Sequence, residues 1–211
     1  MNINDNYEKN CSIYEYSFKD KFNISRFNVF WKIIDYIACK IKRFATLYEN
    51  TISKEYERES RLFKISESNN ILHIGCGSYP VTAITLSKIN GGRVVGIDNN
   101  PRAIKLATEV INKKNLQDKI FINIGDGRSY PINEFDTIII SSCSIPKIEI
   151  LNYIFRTAKL NCKIIVREIY GASQAVMDCI NLHNNIKIIN RIDNHPFPTS
   201  KWESFCLIKN S

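Results

Sequence analysis

The 211-residue sequence contains no apolar run of the roughly 18 residues that a membrane-spanning helix needs. Its opening stretch, MNINDNYEKN, is polar and carries acids, unlike a signal peptide. These two absences lead to the expectation of a cytoplasmic location with no membrane partner. The seven cysteines, Cys11, Cys39, Cys76, Cys143, Cys162, Cys179 and Cys206, are scattered, odd in number and never in a C-x-x-C pair. That spacing speaks against a disulfide framework or a zinc site and for reduced thiols acting as small apolar fillers. His73, His183 and His195 show no ligand spacing either, so no metal is expected. The 29 Lys and Arg against 21 Asp and Glu leave a formal charge of +8. The basic residues form no block of five and no DNA- or RNA-binding motif, so the excess reads as solvated surface and no nucleic-acid partner is expected.

Hydrophobic residues at 44% and charged ones at 24% give an ordinary globular balance in a chain long enough for one domain with a small appendage. From Phe27 the apolar positions Phe30, Trp31, Ile34, Ile37, Ala38, Ile41, Ala45 and Tyr48 follow helical spacing. Asn50 or Ser53 is placed to cap a second helix through Glu55, Tyr56, Glu59, Leu62 and Phe63. SESNN at 66–70 reads as a loop, so residues 1–69 are expected to form a helical cap. The period then changes. ILHIG, RVVGID, KIFINIGD, DTIIISS and KIIVRE read as five strands, each followed by a turn or a helical stretch. IKIINRID and ESFCLIK add two more. Alternation of this kind predicts an α/β fold over 70–211, a mostly parallel seven-stranded sheet with helices on both faces and an antiparallel last strand.

The densest cluster of chemistry is ILHIGCGSYP, with Gly75, Cys76 and Gly77, followed by Asp98 at the end of the next strand. Glycines in a β–α turn let a ligand approach the backbone, and a carboxylate about 20 residues further on reaches a ribose diol. The third glycine of a dinucleotide fingerprint is replaced here by Pro80, which offers no amide and adds bulk. A pyrophosphate is therefore poorly served, which argues against NAD. S-adenosylmethionine has no phosphate and needs contacts to ribose, adenine and its amino-acid arm. Asn99, the Asp126–Gly127 pair after the third strand and Ser141 on the fourth fit such contacts, with Asp126 accepting the adenine amino group.

These residues resemble the class I S-adenosylmethionine-dependent methyltransferase superfamily with its Rossmann-like fold, and within it the nicotianamine synthase family, including its shorter members. GCGSYPVTAI, with Pro80 and Thr82, is similar to that family's G-x-G-P-x-P-x-T-A/S-I. VVGIDNNPRA fits both groups. IIVREIYGA, with Arg167 and Gly171, resembles the family's fifth-strand exit, and PTSKWESFCLIK its last strand. Ser78 and Tyr79 depart from the family's turn. The resemblance implies transfer of a 3-amino-3-carboxypropyl group to an amine or amino-acid acceptor, on the way to a small metal chelator. It also offers Tyr48 and Glu59, in YEN followed by RESRLF, as the catalytic pair. Tyr79 is a third polar candidate, and Arg167 a site for a substrate carboxylate. A small-molecule methyltransferase and a non-catalytic cofactor-binding module stay open as alternatives.

Overall fold

The computed structural model describes residues 16–89, 91–196 and 201–210. The polar stretch with Tyr7, Cys11 and Tyr14 lies outside them. Helix α1 (Phe18–Lys40) starts nine residues before the expected Phe27, where Ser17 accepts a hydrogen bond from the Asp20 amide at 3.1 Å. It breaks at Ile41, which takes an extended backbone (φ −118°, ψ 102°), and helix α2 (Lys42–Leu62) follows at once. Asn50 and Ser53 are therefore interior residues of α2 and cap nothing; Ser53 instead shares a buried 2.7 Å hydrogen bond with Thr85. The expected loop at 66–70 holds a short 3₁₀ turn at Ile65–Glu67.

The sheet contains β1 (Asn70–Ile74), β2 (Arg93–Asp98), β3 (Ile120–Ile124), β4 (Thr137–Ile140), β5 (Lys163–Ile169), β6 (Ile186–Asn194) and β7 (Trp202–Lys209). Its order is β3-β2-β1-β4-β5-β7-β6, parallel from β3 to β5, with β7 antiparallel to both of its neighbours. This is the mostly parallel, Rossmann-like α/β arrangement expected from the alternating strands. Helices α3 (Val81–Ile89), α4 (Pro101–Lys113), α5 (Lys147–Thr157) and α6 (Ser173–Asn181) complete the described chain.

Side chains alternate across the pleat. Leu72, Ile138, Ile140 and Ile164 enter one apolar cluster with Leu151 and Val176 from α5 and α6. Their neighbours Ile71, Ile139 and Ile165 enter the other, with Ile84 from α3 and Val110 from α4. Ala45 and Ile52 of α2 belong to that second cluster, so the helical cap shares its core with the sheet. Chain order puts β1 and β4 side by side with their connections leaving in opposite directions, which opens a crevice at their C-terminal ends.

Candidate active site

A cavity of about 380 Å³ fills that crevice. Its floor comes from the exits of β1, β2 and β4, and α1 lies over it as a lid. Gly75 and Gly77 take φ of +76° and +68°, left-handed values that cost a side-chain-bearing residue strain. The Gly75 and Cys76 amides both donate to the Ile97 carbonyl at 2.9 Å, which ties the turn to β2. Asp98 Oδ2 accepts from the Gly77 amide at 3.1 Å, and Oδ1 from the Asn100 amide at 2.9 Å. Each oxygen keeps a lone pair for a ligand hydroxyl. Asn100 caps α4 by accepting from the Arg102 amide, so Asp98 is spared that duty. Asn99 and Ser141 line the same cavity, as do Cys76, Gly125, Asp126 and Gly127. The expected cofactor contacts thus converge on one cavity, and their donors and acceptors suit a ribose diol and a purine.

The lid supplies a residue that the sequence reading passed over. Asp35 of α1 reaches the glycine turn. Its Oδ2 accepts from the Tyr79 amide at 3.4 Å, and its Oδ1 from the Tyr48 hydroxyl at 3.1 Å. A Cβ on Gly77 would stand 2.4 Å from Asp35 Oδ2, so the lid can close this far only because the turn is bare there. Burial raises the Asp35 carboxyl to about 7, partly offset by hydrogen bonds from Tyr79, Tyr48 and Ser78, with the Asp98 charge adding to the rise. The carboxyl is enclosed by protein while its side chain still borders the cavity.

The sequence held a signal for Asp35 that apolar periodicity hides. The face that α1 turns inward is Ile24, Asn28, Trp31, Asp35 and Ala38, spaced 4-3-4-3. Two of these five are polar because they cover a cavity, while Phe27 and Ile34 of the expected apolar stripe pack beside them on the core clusters. Asn28 donates to the Cys143 carbonyl at 3.4 Å, and the Cys39 thiol to the Ser78 carbonyl at 3.3 Å. Tyr16 donates to Glu168 at 2.5 Å. The lid is strapped down along its length.

Several expected roles move. Glu59 is fully buried and does not line the cavity. Its carboxylate takes Arg167 Nη2 at 2.6 Å and Nε at 3.1 and 3.2 Å, together with the Ser204 hydroxyl at 2.5 Å. Arg167 also donates to Thr82 at 2.8 Å and stacks 3.9 Å from the Tyr56 ring centroid. Glu59 is thus spent on a structural bolt from α2 to β5, α3 and β7, which corrects the expectation of a catalytic Glu59, whereas Arg167 joins that bolt and also lines the cavity. Tyr79 points its hydroxyl away from the cavity to Glu49, which Lys114 and Lys88 hold at 2.5 and 3.5 Å. It contributes its amide and its ring, 5.8 Å from the Tyr48 ring, and not its phenol. Tyr48 keeps its place at the cavity as the donor to Asp35. Asp126 is gripped by Arg128, whose Nε and Nη2 reach both oxygens at 2.7 to 3.2 Å. It can accept an adenine amino group only if Arg128 lets go.

The remaining titratable groups are poorly suited to proton transfer near neutrality. Burial and the Arg167 charge push His73 down to about 3, so the imidazole that bonds Ser141 at 2.9 Å is neutral. Burial pushes the Cys143 thiol up to about 12 and holds Cys76 well above its ordinary value, which leaves both unreactive. Lys147 is spent on the Ser141 and Arg167 carbonyls, pinning the exits of β4 and β5 together. Among the described residues no group of His, Cys, Asp or Glu stands close enough to hold a metal ion.

Residues 65–196 match the family model described as a methyltransferase domain, which is more than half of the chain. The chain belongs to the methyltransferase domain family. The S-adenosylmethionine expectation follows from that membership, and the coarse activity is that of an S-adenosylmethionine-dependent transferase. No curated protein matches the sequence. Among solved structures, a variant of MtNAS in complex with S-adenosylmethionine aligns with a TM-score of 0.71 at 19% identity, covering 91% of this chain and 76% of that one. An O-methyltransferase from Bacillus cereus in complex with SAH aligns at 0.62 and 17% identity, covering 74% and 81%. An O-methyltransferase-like protein from Klebsiella pneumoniae aligns at 0.62 and 11%, covering 75% and 80%. At these identities the likeness is one of fold. The alignment to MtNAS extends over more of this methyltransferase-domain chain than the other two do.

Proposed function

We propose that this protein moves a 3-amino-3-carboxypropyl group from S-adenosylmethionine to a small-molecule amine, with Asp35 as general base. The observation that carries the reading is Asp35 itself, a carboxyl raised to about 7 at the wall of the cofactor cavity. An amine attacks only when neutral, and a base that titrates near the working pH takes its proton most efficiently. S-adenosylmethionine supplies a sulfonium with three attached carbons open to displacement, and the carbon that faces the nucleophile decides which group leaves.

The chain's own residues do the rest. Asp98 holds the ribose hydroxyls on its free lone pairs. Tyr48 fixes the rotamer of Asp35 by donating to Oδ1. Helix α1, closed over the cavity by Asn28, Asp35 and Cys39, excludes water. As the nitrogen–carbon bond forms and the carbon–sulfur bond breaks, the amine proton passes to Asp35 and the sulfur keeps the bonding pair, so methylthioadenosine leaves uncharged. The transfer of the aminocarboxypropyl arm is supported by Pro80, Thr82 and Arg167. Two of these residues, Thr82 and Arg167, meet in the hydrogen-bonded bolt with Glu59.

A second reading, methyl transfer to a small molecule, is supported by the family description and by the fold shared with O-methyltransferases. The two differ in their by-product. Incubation with S-adenosylmethionine and a panel of amines, followed by mass spectrometry of the nucleoside, should give methylthioadenosine. S-adenosylhomocysteine would assign methyl transfer instead. Tight binding without either product would make the chain a cofactor-binding module.

A further inference from the structure

The side of α1 that faces away from the cavity has a composition that water alone does not explain. At 3.6 residues per turn, Phe18, Phe22, Val29, Ile33 and Tyr36 fall on one stripe, opposite Asn28, Trp31 and Asp35. All five are exposed, Phe18 at 89%, Phe22 at 56% and Ile33 at 55%. Phe30 and Ile41 continue the patch at its edges. Ordinary surface helices carry polar residues there, and contiguous exposed apolar side chains mark an interaction surface.

The charges on this face are of one sign. Lys19, Arg26 and Lys40 are exposed along it, with Lys42 and Arg43 just beyond the break. Arg26 stands over the Phe22 ring and Lys40 over the Tyr36 ring, each 5.7 Å from the centroid. The helix has two acids, and neither lies on this face. Asp35 is turned to the cavity, and Asp20 is half-buried and bonded to Ser17. A two-fold pairing of copies through the stripe would bring like charges together, which disfavours a second copy as the occupant. An anionic lipid surface fits. Aromatic and aliphatic side chains enter the headgroup boundary, while basic side chains reach the phosphates along their long stems.

We propose that α1 seats the protein on an anionic phospholipid surface through Phe18, Phe22, Val29, Ile33 and Tyr36, with Arg26 and Lys40 reading the charge. The sequence expectation of no membrane partner rested on the lack of a span, and no described helix is long and apolar enough to cross a membrane. A helix lying in the interface needs no span. The 23 residues of α1 would lie along about 34 Å of the surface. The inner face of the same helix carries Asp35, so a seated lid is coupled to the site beneath it.

Co-sedimentation of the full chain with vesicles tests this independently of any catalysis. Phosphatidylcholine vesicles should capture little protein, and vesicles with about one third phosphatidylglycerol about 10-fold more, with the excess lost in high salt. The double variant Val29→Ser/Ile33→Ser should lose about 10-fold of that capture while its thermal midpoint and its S-adenosylmethionine affinity stay unchanged. Equal capture by both vesicle types, capture undiminished in the double variant, or no capture at all would overturn the proposal. So would a dimer in light scattering that the double variant splits into monomers, since a second copy would then own the face. Absence of methylthioadenosine in the product assay would remove the functional reading and leave the vesicle result standing.

Discussion

Two acids descend from the helical cap, and the protein treats them in opposite ways. Glu59 of α2 meets Arg167, Ser204 and, through Arg167, Thr82, so its charge is matched at every lone pair. Asp35 of α1 meets three neutral donors, the Tyr79 and Ser78 amides and the Tyr48 hydroxyl, with another carboxylate, Asp98, nearby. The first acid is a bolt and the second, in the proposed function, a base. Burial is common to both, and the difference lies in what each finds there: a cation in one case and a cavity in the other.

The comparison breaks most visibly at Asp35. Asp35→Asn keeps the shape, with Oδ1 facing the Tyr79 amide and the Tyr48 hydroxyl turned to accept from Nδ2, but removes the base, so the transfer rate should fall about 100- to 10,000-fold in a single-turnover assay. Its folding should not suffer. The carboxyl is raised from its ordinary 3.8 to about 7, so ionising it in the folded state opposes folding. Stability is therefore lost as pH rises from about 4 to about 7, and the neutral asparagine escapes that loss. Above pH 7 the variant should be as stable as the parent or more so in urea melts.

Glu59→Ala should do the reverse. It leaves a buried guanidinium without its partner and should cost about 3–5 kcal/mol, read as a lower denaturant midpoint. Its activity per folded molecule should change little. Asp98→Ala comes next. Loss of the carboxylate that faces the ribose should weaken S-adenosylmethionine binding by about 1.5–3 kcal/mol in calorimetry. An unchanged affinity would refute its role. The smallest effect belongs to Arg128→Ala. Freeing both oxygens of Asp126 on an exposed rim should change affinity least of the four, towards tighter binding if Asp126 then accepts the adenine amino group.

Much of this was legible in the residues. The apolar runs and their turns place all seven strands, because strands buried on both faces, such as β1, β4 and β5, write themselves as apolar blocks. Gly75, Gly77 and Asp98 could be read because the turn and the strand exit fix them locally. The lid was harder. Where a helix covers a core, its apolar face points inward; α1 covers a cavity, so Asn28 and Asp35 look inward while Phe22, Val29 and Ile33 look out. Hydrophobic periodicity finds Trp31, Ile34 and Ala38 on the inner side but gives no hint of the polar pair among them. Glu59 and Arg167 were recognisable as special but not as partners, since 108 positions separate them and only the packing of α2 on β5 brings them together. Tyr79 likewise shows its phenol to Glu49 for reasons that a local reading of the turn does not contain.

The division of labour between the two acids is tested most directly by the pH dependence of the single-turnover rate at saturating S-adenosylmethionine and amine, measured for the parent chain, Asp35→Asn and Glu59→Gln. A base at about 7 predicts a rate that rises through pH 7 and levels above it in the parent and in folded Glu59→Gln. Asp35→Asn should lack that limb and stay slow throughout. The same limb surviving in Asp35→Asn, or vanishing in Glu59→Gln, would contradict the account.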